Sequence, residues 1–175
     1  DLSVMKTLLD ISKVNEADDP PPVESKDGTP TLYRPHAELR AVAAYALGVI
    51  GGEQSAERLG QMLYDTYPNA RYNAATGLAR LGDVRSITVL REMLDPDNEL
   101  AVKDELHADN KERKKTTVLL NGVKATIQLA QANPQADLSA VKPSLEKLTT
   151  DPLKKVLIEP NKVKSAAAEA LRIIN

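Results

Sequence analysis

Small and apolar residues recur at Leu39, Val42, Ala43, Ala46, Leu47 and Ile50, in steps of 3, 1, 3, 1 and 3. That spacing lays them on one broad face of an α-helix. A second helical stretch follows, with Ala56, Leu59, Met62 and Leu63, and Gly51-Gly52 separates the two. One unit further on, Ile87, Leu90, Met93 and Leu94 repeat the second pattern. Alanines on the first helix let neighbouring helices approach closely. Neither hairpin buries its apolar face alone, and stacking hairpins in series does.

Sliding the sequence by 31 positions brings "LRAVAAYALGVIGG" onto "ARYNAATGLARLGD" and "SAERLGQML" onto "SITVLREML" without a gap. "VKSAAAEALRIIN" at the end repeats the first half, "GVKATIQLAQAN" does so more loosely, and "LSVMKTLLD" at the start resembles the second half. The column at position 51 reads Gly51, Gly82, Asn133 and Asn175, residues that readily take the left-handed conformation ending a helix. "ALGVIGG" is therefore read as a hairpin turn. A phosphate loop needs a strand before it and a Lys after it, and here Glu53 follows.

The pattern R-x-x-A-A-x-x-L-x-x-x-G, followed by a second helix ending M-L-x-D, resembles HEAT repeats, and most closely the short PBS-lyase HEAT-like type. The resemblance implies an all-α, right-handed α-solenoid of about three full repeats with half-repeats at both ends. Residues 1–175 are expected to form a single domain, with insertions at about 11–34 and 96–117. It also implies an Asp–Arg ladder: Asp65, Asp95 and Asp151 close to Arg40, Arg71 and Lys164, with the Asp side chains accepting from turn backbone.

Both insertions follow a second helix and precede a first helix, so they share one edge of the array, where loops carry function. The first holds "DPPP" and a Lys-Asp-Gly turn and is expected to be an extended excursion. All five tyrosines fall between positions 33 and 72. Tyr33, Tyr64 and Tyr67, with His36, stand in or beside the inter-repeat connections. They read either as a partner-binding edge or as a local mini-core. Tyr45 is expected on the outer face of its helix. In the second helices, Arg58, Gln61, Arg85 and Arg91 are the candidate partner contacts.

Composition narrows the chemistry. Phe, Trp and Cys are absent, which removes disulfides and thiolate metal sites and leaves only tyrosine for aromatic stacking. Net charge is −2, and the arginines of the second helices alternate with Glu57, Glu92 and Glu146, so nucleic acid is an unfavoured partner. No apolar run approaches the roughly 18 residues that span a bilayer. His36 and His107 stand apart, without H-E-x-x-H or the repeated His-Glu pairs through which some HEAT-like hydroxylases hold iron, so a hydroxylase is an unfavoured reading. "DPDNE" (95–99) lacks the calcium-loop register. No nucleophile–base motif stands out, and no cofactor is expected. The expected role is a non-catalytic protein–protein interaction scaffold or adaptor. It would bind through concave second helices and the inter-repeat edge, with further repeats of a longer chain as another neighbour. A bilin lyase-like, pigment-handling role or nucleic-acid binding are the alternatives. The compartment is left open by the sequence.

Overall fold

A computed structural model describes residues 2–15, 17, 23–24, 30–31, 34–103, 105, 107–150, 153 and 158–174. Helix α1 (Leu2–Ile11) precedes three hairpins: α2 (Pro35–Ile50) with α3 (Glu53–Met62), α4 (Pro68–Arg80) with α5 (Ile87–Met93), and α6 (Ala108–Ala132) with α7 (Lys142–Thr150). Helix α8 (Pro160–Ile174) follows. The first helices stack in series, α2 on α4, α4 on α6 and α6 on α8, while α3 packs against both α2 and α4. This is the expected α-solenoid, three hairpins flanked by a single helix at each end.

The core runs along the seam between the helix layers. Leu47, Leu59, Met62, Leu78, Leu90, Met93, Leu94, Leu119, Leu129, Leu145 and Leu148 are fully buried there. Each contributes about 1.5–3 kcal/mol relative to exposure. The repeat positions Leu47 and Leu78, and Met62-Leu63 and Met93-Leu94, are thus the repeated core positions.

The buried face of α2 is rotated from the expected one. It consists of Ala37, Arg40, Ala41, Ala43, Ala44, Leu47 and Gly48. Leu39, Val42 and Ile50 point to solvent. The cause is the close approach of α2 to α4. A Cβ added at Gly48 would stand 2.6 Å from the Gly77 Cα, so only small residues fit between these helices.

The hairpin turns follow the sequence in part. Gly51, Gly52 and Gly82 have φ of 73°, 83° and 77°. Asn133 does not share that conformation: its φ is −136°. Its side-chain Nδ2 instead donates to the Gly82 carbonyl at 3.0 Å, joining two turns. Asn175 lies outside the described residues.

The described parts of both insertions can be placed. Within residues 11–34, Val23–Glu24 (β1) pairs antiparallel with Pro30–Thr31 (β2), with Val23 opposite Thr31, so these four residues are extended. Within residues 96–117, Leu100–Val102 forms a 3₁₀ turn and α6 already begins at Ala108, so "KERKK" is helix. Lys114 pairs with Glu105 at 3.0 Å, and Lys115 with Glu99, which ties the extra turns of α6 to the loop before them.

The Asp–Arg ladder has one regular rung. Arg40 donates from Nε and Nη2 to both Asp65 oxygens at 2.8 Å, and Tyr67 N–H donates to Asp65 Oδ1 at 2.9 Å. Burial pushes the Asp65 carboxyl up, but the Arg40 and Tyr67 hydrogen bonds and the Arg40 and Arg58 charges outweigh it, leaving it below the usual carboxylate range. The next rung shifts. Arg71 bonds the Asp65 carbonyl at 2.7 Å and Glu92 at 2.6 Å, while Asp95 accepts from Asp97 N–H and Lys147. Asp151 lies outside the described residues.

Candidate functional site

Two grooves collect the polar side chains of the array. The first crosses the exposed side of α4 and has a volume of about 460 Å³. Asn69, Tyr72, Asn73 and Thr76 of α4 form its floor, Glu38, Val42 and Tyr45 of α2 one wall, and Asn121, Lys124 and Gln128 of α6 the other. Its origin lies in the repeat. Between α2 and α4 the closest contact is glycine on glycine, flanked by alanines, with Asn73 and Arg80 bonded to α2 carbonyls. Toward α6 the chain places Tyr72, Asn121, Lys124 and Gln128 instead, so α4 and α6 leave a polar cleft.

Two tyrosines, one in this groove and one beside it, are held within the fold. Tyr72 is buried, donates its hydroxyl to Glu92 at 2.8 Å and accepts from Asn98 at 3.0 Å. Burial, then the Glu92 carboxylate, raises its phenol well above the ordinary value, so it stays a neutral donor. Arg71 lies over its ring, 5.7 Å from the centroid. Tyr67 is buried as well. Its hydroxyl donates to Glu38 and accepts from Asn69 Nδ2 at 2.9 Å. Tyr45, as expected, is exposed, and it borders the groove.

The second groove, about 530 Å³, lies along α1 and α3 and is lined by Leu9, Lys13, Glu53, Glu57, Arg58, Gln61 and Arg85 among others. It brings together three of the residues singled out from sequence: Arg58, Gln61 and Arg85. Arg58 is engaged there. Its Nε and Nη2 donate to the Ser12 hydroxyl and carbonyl at 2.7 and 2.5 Å, and Nη1 reaches Gln61 at 2.9 Å. Burial, partly offset by Asp65, lowers the Arg58 guanidinium from its ordinary value. Arg85 is clamped by Asp83 through Nε and Nη2.

The remaining candidates do not converge on either groove. Arg91 is exposed on α5 and Tyr64 in the turn after α3. His36 sits in the first turn of α2, and Tyr33 lies outside the described residues. The expectation that Tyr67 offers itself to a partner is corrected: its ring is buried and its hydroxyl is used within the fold, the mini-core alternative. Sequence reasoning missed the α4 groove because its lining comes from three helices far apart in the chain. The only available signal was the loss of small residues at the α6 positions.

Among the described residues no group of three or more His, Cys, Asp or Glu side chains could hold a metal ion. His36 and His107 stand at the starts of different helices. The described residues therefore do not fit an iron centre of the kind some HEAT-like hydroxylases carry. No described helix is long and apolar enough to cross a membrane.

Helix hairpins stacked in series with Asp and Arg side chains joining successive turns define an α-solenoid. Residues 29–108 match the family model of HEAT repeats, so this part of the chain is built of HEAT repeats. The match is to HEAT repeats at large, the coarser of the two resemblances. A curated relative, the deoxyhypusine hydroxylase of Neurospora crassa, is 30% identical over 135 residues, which is 71% of this chain and 39% of the relative. The chain thus spans about two fifths of the length of the relative it matches. No solved structure matches it. The similarity to an enzyme overturns the expectation of a non-catalytic scaffold. That expectation leaned on short ligand motifs missing from these residues. Their absence from a span equal to two fifths of an enzyme is no argument against activity.

Proposed function

We propose that this chain is a HEAT-repeat unit of a hydroxylase-type enzyme acting on a protein, and that the groove over α4 receives the substrate side chain. The observation that carries this reading is the similarity to a deoxyhypusine hydroxylase over 71% of the chain. The groove supports it chemically. Its volume falls within the range of small-ligand pockets. Tyr45 and Val118 offer apolar contact to a long methylene chain, and the Glu38 carboxylate and the Asn121 and Gln128 amide oxygens offer acceptors to its N–H groups. Lys124 on the rim suits an acidic group of the surrounding protein. The second groove, with Arg58, Gln61 and Arg85, is the proposed outer contact for that protein. Removing water from the groove strengthens each of these polar contacts.

The test is direct. A peptide bearing a deoxyhypusine residue, and the same peptide with unmodified lysine, are titrated with the chain and binding is followed by fluorescence anisotropy. The expected result is saturable binding that favours the deoxyhypusine peptide and is lost when Glu38 and Asn121 are both replaced by Ala. Equal binding of the two peptides, or binding unaffected by the double replacement, would overturn the reading.

A further inference from the structure

The way α4 receives α2 is written into five residues. Ala70 is fully buried, Asn73 Nδ2 donates to the Ala41 carbonyl at 2.8 Å, and Gly77 meets Gly48 backbone to backbone. Arg80 donates to the Gly48 carbonyl at 3.0 Å, and Leu81 lies against Gly51. Thirty-one positions earlier, in the same register of the repeat, α2 carries Leu39, Val42, Ala46, Val49 and Ile50. These are the receiving positions of α2. They face solvent: Leu39 is 44% exposed, Val42 62%, Val49 58% and Ile50 50%. A stripe of four large apolar residues on one helix is an unusual surface to leave wet. It is also more apolar than its counterpart, since Val42 and Val49 stand where α4 has Asn73 and Arg80.

The other end of the array differs. The giving face of α2 is Ala37, Ala41, Ala44 and Gly48. Its repeat equivalents on α8, at a shift of 124, are Asn161, Ser165, Ala168 and Arg172. Arg172 occupies the position where close approach needs Gly48, and it pairs with Glu169. One copy of the chain therefore does not present to the next a face that fits the α2 stripe. Meanwhile α1 packs against α2, as α3 packs against α4, with Met5, Leu8 and Leu9 of α1 against the core. By that placement α1 is the second helix of a hairpin.

We infer that the α2 stripe is the socket for the first helix of that hairpin, supplied by the polypeptide ahead of residue 2. This helix carries alanine or glycine at the spacing of Ala37, Ala41, Ala44 and Gly48. It lies on α2 as α2 lies on α4. Packing there removes the four apolar side chains from water and continues the stack of first helices by one member.

The chain contains no cysteine, which gives a clean probe. Val42→Cys, Val49→Cys and, as a control in the turn after α3, Tyr64→Cys are each labelled with a maleimide. Labelling is compared between residues 1–175 alone and the polypeptide extended by its native upstream residues. In residues 1–175 all three thiols are expected to react at the rate of an exposed cysteine. In the extended polypeptide Val42→Cys and Val49→Cys slow by about tenfold or more, because reaction there requires local opening, and Tyr64→Cys does not change. Equal rates at all three positions in the extended polypeptide overturn the inference. So does slow labelling of Val42→Cys in residues 1–175 that depends on protein concentration, which assigns the stripe to a second copy.

Discussion

Replacing Gly48 by Ala tests whether the solenoid is held by close packing of its first helices. In an exposed helix interior this change is stabilising by about 1 kcal/mol, since alanine is the better helix former. At position 48 the new Cβ would stand 2.6 Å from the Gly77 Cα and 3.5 Å from the Gly77 backbone N. Carbon atoms in good contact sit about 3.5–4 Å apart. The obstacle is main chain, which cannot swing aside, so α2 and α4 must separate by about 1 Å. Overpacking of this kind costs typically ~1–3 kcal/mol. With backbone on both sides we take the upper end, and after the helix-propensity gain a net loss of about 2 kcal/mol remains. For a chain of this size that is a fall of roughly 4–8 °C in Tm. Thermal unfolding followed by far-UV circular dichroism measures it. Gly60→Ala is the internal control. Its Cβ meets only the guanidinium end of Arg85, an exposed side chain that can swing aside at the cost of its surface ion pair with Asp83, so the helix-propensity gain offsets that loss and this variant should stay within about 1 kcal/mol of the parent. The packing argument fails if Gly48→Ala melts with or above the parent, or if the two variants shift alike.

The Asp65→Asn variant should lose about 3–5 kcal/mol, because it leaves the Arg40 guanidinium buried without its charge partner. The folded Asp65 carboxyl sits below its unfolded value, so its contribution is complete above about pH 4 and is lost as pH falls through the folded value. Denaturant titrations at descending pH should therefore show the gap between parent and Asp65→Asn closing in acid, and a gap constant with pH would contradict the ion pair. Tyr72→Phe removes a hydroxyl bonded to Glu92 and Asn98 and should destabilise by about 1.5–3 kcal/mol, measured by urea unfolding. Asn133→Ala breaks the bond between the turns of the second and third hairpins and should cost about 1 kcal/mol, and an unchanged urea midpoint would count against that link.

The repeat period made the hairpins legible because the same core columns, Leu47 and Leu78 or Met62 and Met93, return at a fixed spacing. The turns at Gly51 and Gly82 were legible for the same reason. The rotation of α2 was not. That helix is apolar nearly all round, and what selects its buried side is the narrow gap to Gly77, a fact about the neighbour. Asn133 misled because asparagine has a second way to end a helix, through its side chain. The α4 groove and the buried roles of Tyr67 and Tyr72 depend on Glu38, Glu92 and Asn98, which only the folded chain brings near. The similarity to an enzyme is carried by no local motif read in these residues and lies instead along 71% of the chain.

Two arginines from one hairpin hold the same short piece of backbone. Arg58 on α3 takes the Ser12 carbonyl, and Arg40 on α2 takes the Val14 carbonyl at 3.1 Å. The chain then returns at Pro35 to begin α2, the helix that carries Arg40. Whatever lies between departs from and lands on a single rigid mount. Lengthening such an excursion is thermodynamically cheap, about 0.6 kcal/mol for each doubling. The hairpin thus fixes both where the chain leaves, at Val14, and where it returns, at Pro35, so the mount and not the length of the connection sets where α2 begins.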